Sequence, residues 1–111
     1  MSLSKEKLYK IKTLEQKISQ GDLDAMMKYA EFFERHTEDI TDKIAQKMVK
    51  CYETCLAEGN LTAALNLGAM YYCGEFIPRD FKKAKTFGKI KLKQKPKGYA
   101  YVRNILPQDN R

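Results

Sequence analysis

Few residues in this chain have the types and spacing that chemistry requires. There are three cysteines, Cys51, Cys55 and Cys73, one histidine, His36, and no tryptophan. Cys51 and Cys55 stand one helical turn apart, a spacing that can turn two thiolates toward a metal. A third sulfur would have to come within about 2.3 Å of that metal. If the chain doubles back at Gly59, Cys73 falls opposite Ala45, roughly six residues or ~9 Å of helix rise from Cys51. The spacing therefore favours buried structural thiols that pack as small apolar groups. An odd cysteine count leaves no disulfide framework that uses all three and points to a reducing compartment. His36 has no partner nucleophile in any motif, so a solvated loop residue is expected rather than a catalytic base. Asn60-Leu61-Thr62 has the N-glycosylation pattern, but the same asparagine suits a helix N-cap. No catalytic, cofactor-binding or metal-ligating residue is expected, and the chain reads as a non-enzyme without a cofactor.

Charge is the other resource. The chain has 111 residues and a net charge of +7. Residues 79–103 hold ten Lys and Arg against Asp80 alone, a local charge of +9, while residues 1–78 carry −2. Lys82, Lys85, Lys89 and Lys93 recur at helical spacing and form one basic outer stripe. Such a stripe suits a solvated face, an acidic protein partner, or sequence-blind polyanion binding. Nucleic-acid modules usually add stacking aromatics. Here only Tyr99 and Tyr101 are spare, so nucleic acid is the disfavoured partner. No apolar run approaches the roughly 20 residues that span a bilayer, and the N-terminal dozen residues lack the apolar stretch of a signal peptide.

A repeat positions these groups. Gly21-Asp22-Leu23-Asp24-Ala25 recurs 38 residues later as Gly59-Asn60-Leu61-Thr62-Ala63, and Gly98 and Val102 echo it weakly. Ala30 then matches Gly68, Phe33 matches Tyr71, and Ala45 matches Ala84 one residue out of phase, which predicts a longer inner loop in the second copy. Each unit reads as a helix pair. Asp22, Thr41, Asn60 and Asp80 are the expected N-caps, and Gly74 is the expected positive-φ terminator. Small residues at Ala30/Gly68 and Ala45/Ala84 let two helices approach to the near end of the usual 8–10 Å. A first helix over 4–19, with Leu8, Ile11, Leu14 and Ile18 on one face, fits a cap for the array.

The stretch Ala63-Ala64-Leu65-Asn66-Leu67-Gly68-Ala69-Met70-Tyr71-Tyr72-Cys73-Gly74, followed by Asp80-Phe81-Lys82-Lys83-Ala84-Lys85-Thr86-Phe87, resembles a Sel1-like repeat, a relative of tetratricopeptide repeats. The first copy is similar but degenerate, with Tyr29-Ala30, Phe33 and Ile44-Ala45 at the signature positions. The resemblance spans about residues 21–98. It implies an all-α fold: an α/α solenoid of antiparallel helix pairs in a single domain, 1–111. The expected parts are a capping helix at 4–19, repeats at 21–58 and 59–97, and a partial third repeat or C-terminal cap at 98–106. It also implies a bacterial, cytoplasmic adaptor or scaffold. The inter-repeat disulfide of the family's cysteine-rich branch is not expected, because Ala63 stands where the partner of Cys55 would be. Lys91 takes the inward slot held by Tyr52 in the first copy, which predicts looser packing at the end of the last full helix.

The expected function is a protein–protein interaction module, with polyanion binding through 82–97 as the alternative. The concave surface of such an array would be lined by Met27, Glu31, Glu34, Leu65, Ala69, Tyr72 and Cys73. The expected partner is a protein or peptide, acidic ones included, with no membrane involved and the chain a monomer or weak homodimer.

Overall fold

A computed structural model describes residues 4–93, except for the side chains of 91–93. The expected third repeat at 98–106, the end of the second repeat, the Lys91 and Lys93 side chains, and Lys95, Lys97, Tyr99 and Tyr101 lie outside that description. The described residues are all-helical: α1 (Lys5–Ser19), α2 (Leu23–Glu34), α3 (Asp42–Ala57), α4 (Leu61–Cys73) and α5 (Phe81–Lys93), with one 3₁₀ turn at Thr37–Asp39. Extensive contacts run between consecutive helices, α1 on α2 through to α4 on α5.

The helix starts follow from side-chain oxygens. Asp22, Thr41 and Asn60 accept from the amides of Ala25, Ile44 and Ala63, and Asp80 accepts from Lys83 N at 3.0 Å. Each satisfies a donor that the first turn leaves orphaned. The stops repeat as well. After α1, Gly21 N donates to Ile18 O and Asp22 N to Lys17 O; after α3, Gly59 N donates to Leu56 O and Asn60 N to Cys55 O. These are the paired bonds of a Schellman end, with glycine at φ 87° and 101°. At both turns one residue, Asp22 or Asn60, closes the helix before it and caps the helix after it, so two turns 38 residues apart have the same geometry.

The matched positions have matched burial. Ala25 and Ala63, Ala30 and Gly68, and Ala45 and Ala84 are all buried. Tyr29, Phe33, Met48, Tyr52 and Leu67 are among the largest fully enclosed side chains. Phe33 is 1% exposed, whereas its counterpart Tyr71 is half-buried and stacks on Phe87 at 5.9 Å. Phe33 also meets the rings of Tyr29 and Phe32, with centroids 5.1 and 5.2 Å away. In α1, Ile11 and Leu14 enter the core, but Leu8 does not and remains 43% exposed. Lys7 instead ties that end of α1 to Asp39 at 3.5 Å.

The expected longer inner loop is not found. Both inner connections, 35–41 and 74–80, have seven residues; the extra residue lies inside α4, which has 13 residues to the 12 of α2. Helix α4 gains the additional residue because Gly74, at φ 63°, stops it one position later.

Two glycines set the α4–α5 geometry. A Cβ on Gly68 would stand 3.3 Å from Ala84 O and 3.8 Å from Gly88 N, so the backbones meet there. At Gly74 a Cβ would come within 2.6 Å of Arg79 Cβ. Arg79 is fixed because its Nε and Nη2 donate to the Tyr72 and Cys73 carbonyls, both at 3.1 Å, closing the end of α4.

Substitutions separate these causes. Gly59→Ala should lose about 1–2 kcal/mol from positive φ alone, since its Cβ would meet open space. Gly74→Ala should lose clearly more, by adding the Arg79 clash. Gly68→Leu should lower the melting temperature strongly, whereas Gly68→Ala should stay near neutral, with helix propensity offsetting a tight contact. Urea unfolding of the four variants checks this ranking, and a Gly68→Leu protein that melts like the parent would contradict the crossing.

Candidate functional site

Helices α2 and α4 line one open face together. Residues of α2 appear along it as Asp24, Met27, Lys28 and Glu31, then Glu34; residues of α4 follow in the same order, Thr62, then Ala69, Met70 and Cys73. Two cavities thus lie end to end. The first, about 530 Å³, is bounded by the starts of α2 and α4 and by Cys55, Glu58 and Gly59. The second, about 150 Å³, is floored by the enclosed Met48 and walled by Ile40, Met70 and Ala69, with Glu34 and Thr37 from α2 and the 35–41 connection and Cys73, Glu75 and Phe76 from the end of α4 and the 74–80 connection. Helix α4 suits this position because it carries no charged residue over its 13 positions.

Of the seven residues expected on a concave surface, Met27, Glu31, Glu34, Ala69 and Cys73 line these cavities. Met27 is nevertheless 8% exposed and belongs to the core, so it forms a floor and offers no exposed patch. Tyr72 turns toward Phe81, with ring centroids 5.4 Å apart, because the Arg79 bonds draw the inner loop over that side of α4. Leu65 is half-buried and lines neither cavity. Ile40, Phe76 and Glu75 escape sequence reasoning: they lie in the inner connections, whose path no helical periodicity reports. Met48 and Met70 escape it as groove residues because one reads as core and the other sits a turn beside the expected face.

A polar cluster borders the groove. The buried Tyr52 hydroxyl donates to Glu34 Oε2 at 2.7 Å. Glu34 is exposed as a residue, but partial desolvation of its carboxyl beside Tyr52 pushes its pKa up, the Tyr52 bond opposes that, and Glu31 one turn earlier adds to it. Tyr52 is pushed up by burial and by the carboxylates of Glu34 and Glu31.

The thiols divide. Cys51 and Cys55 are buried, but Cys73 is exposed, contrary to the expectation of three buried cysteines. It sits in the last turn of α4, where the groove opens. Burial raises the Cys51 pKa to about 11 and raises Cys55 as well. Both shifts favour the protonated thiol and accord with cysteines that pack as small apolar groups. Cys55 Sγ donates to Leu23 O at 3.4 Å, tying the end of α3 to the start of α2. No group of three His, Cys, Asp or Glu side chains among the described residues is placed to hold a metal. His36 is half-buried rather than solvated: its ring stacks on Phe32 at 4.3 Å and Nδ1 donates to Phe32 O at 2.8 Å, closing the end of α2.

On α5, Lys82 and Lys89 are exposed and Lys85 is half-buried. Lys83, off the stripe, lies 5.1 Å from the centre of the Tyr71 ring. No helix among the described residues is long and apolar enough to cross a membrane. No family model matches the chain, and neither a curated protein nor a solved structure matches it.

Two outcomes follow from the site. In the native protein a thiol reagent should titrate Cys73 promptly and reach Cys51 and Cys55 only on unfolding; Cys73→Ser should abolish the fast phase. Glu34 has a folded pKa above its unfolded value, so its contribution to stability is present at low pH and lost as pH rises through that raised pKa. Glu34→Gln keeps an acceptor for Tyr52 and stays neutral. It should be at least as stable as the parent at neutral pH, and the difference should vanish below the ordinary carboxylate range. Paired urea titrations at the two pH values measure this.

Proposed function

We propose that this protein is a non-enzymatic interaction module of Sel1-like, tetratricopeptide-related character, in which successive antiparallel helix pairs stack as a short solenoid capped by α1. The observation that carries the reading is the α2–α4 groove: the two first helices of the repeated units line one face in the same residue order. The recurrence of the Gly21 and Gly59 turns supports the stacking, since equal turns give neighbouring units equal rotations. The Cys55–Leu23 bond and the Gly68–Ala84 approach support the antiparallel sense within each pair. Apolar walls with a few polar groups at the rim suit a peptide or protein segment.

Polyanion binding through Lys82, Lys85, Lys89 and Lys93 is the second reading. The exposure of Lys82 and Lys89 favours it. That stripe lies on α5, away from the groove, so the two readings separate by mutation.

The test is affinity capture from source-cell lysate with three baits: parent, Ala69→Lys, and Lys82→Ser/Lys89→Ser. Thermal melts should match across the three. A discrete protein retained after nuclease treatment by the parent and the lysine variant, and lost with Ala69→Lys, is the expected result. Material lost with nuclease and with the lysine variant alone would replace the module reading with polyanion binding.

A further inference from the structure

The groove has a charge sign opposite to that of the whole chain. Its smaller cavity is apolar along Ile40, Met48, Ala69 and Met70, and the carboxylates of Glu34 and Glu75 flank it from α2 and from the 74–80 connection. The adjoining cavity adds Glu31 and Glu58. Among the described residues that line the two cavities, the one cation is Lys28, and it is held 3.0 Å from Asp24. The positive charge of the chain is concentrated in residues 79–103, while residues 1–78, which supply all the lining side chains of the groove, carry −2.

Resting on the groove reading above, we propose that the occupant is a cationic amphipathic segment of a partner protein, its aliphatic side chain seated against Ala69 and Met70 over the enclosed Met48 and its flanking Lys or Arg side chains directed to Glu34 and Glu75. The apolar slot accepts an unbranched or γ-branched side chain, and the half-buried Met70 adapts to its shape. The carboxylates at either side then fix direction and register, which is how charge contributes to an interface. Glu34 suits this role because one of its oxygens is already anchored by Tyr52, so the carboxylate is held in place before the ligand arrives. The groups facing it are Tyr52 from α3 and Glu31 from α2, with Glu75 across the slot; none supplies a positive charge.

The experiment uses the full chain and two labelled helical peptides of equal length and leucine content, one with lysine and one with glutamate at the polar positions. Fluorescence anisotropy should show saturable binding of the Leu/Lys peptide although both molecules are cationic. Glu34→Gln/Glu75→Gln, with an unchanged melt, should weaken it about tenfold or more, equivalent to about 1.4 kcal/mol or more. Lys82→Ser/Lys89→Ser should leave it unchanged. Equal or tighter binding of the Leu/Glu peptide, or Leu/Lys binding indifferent to the double glutamine variant, would overturn the proposal. So would sedimentation showing the groove filled by a second copy in a dimer that the double variant dissociates. Ala69→Lys separates the two levels: if it weakens the Leu/Glu peptide, the groove stands and the cationic partner falls; if it affects neither peptide, both fall.

Discussion

The backbone of α5 approaches α4 so closely at Gly68 that a single added carbon would stand 3.3 Å from the Ala84 carbonyl oxygen. That approach requires two small residues facing one another, and the first unit offers buried Ala30 and Ala45 at the matching positions. The larger side chains are placed by what the small ones permit. Tyr29, Phe33, Met48, Tyr52 and Leu67 fill the interior because the helices are near enough for rings and aliphatic chains to interdigitate at interior density. The Schellman turns at Gly21 and Gly59 then orient each following helix, and the groove along α2 and α4 is the space left beside the packed faces.

Much of this is legible in the residues, for identifiable reasons. N-caps at Asp22, Thr41, Asn60 and Asp80 can be read because capping is local, a matter of a side chain and an amide three residues on. Gly74 can be read as a terminator because positive φ selects glycine. The failures share a cause as well. The inner connections carry no periodicity, so the arrival of Ile40, Glu75 and Phe76 at the groove is hidden. The turn of Tyr72 toward Phe81 depends on Arg79 reaching back to two carbonyls, which is a tertiary event. His36 reads as solvated because nothing in the sequence shows its ring lying on Phe32. Leu8 has the right spacing for the α1 face, yet α1 makes its apolar contact through Ile11 and Leu14.

The charge distribution shows how one small chain can present two unlike surfaces. Lys82, Lys83 and Lys89 on α5 are exposed beside a helix that has no charge at all, and Glu31, Glu34, Glu58 and Glu75 border the groove. A basic net charge, taken alone, directs attention to polyanions. The structure locates an apolar slot bordered by acidic groups instead, and the two buried thiols and the capping histidine are occupied with packing and helix ends.

Methionine methyl resonances give the most direct test of the central claim that partners bind between α2 and α4. Met70 walls the smaller cavity, Met48 floors it and Met27 floors the larger one, while Met26, next to Met27 in sequence, lines a separate cavity with Ile18, Lys47 and Cys51. On adding the retained partner, the account predicts that Met70 shifts most, the enclosed Met48 and Met27 shift less and Met26 stays in place. A complex in which Met26 moves and Met48 and Met70 do not would contradict it.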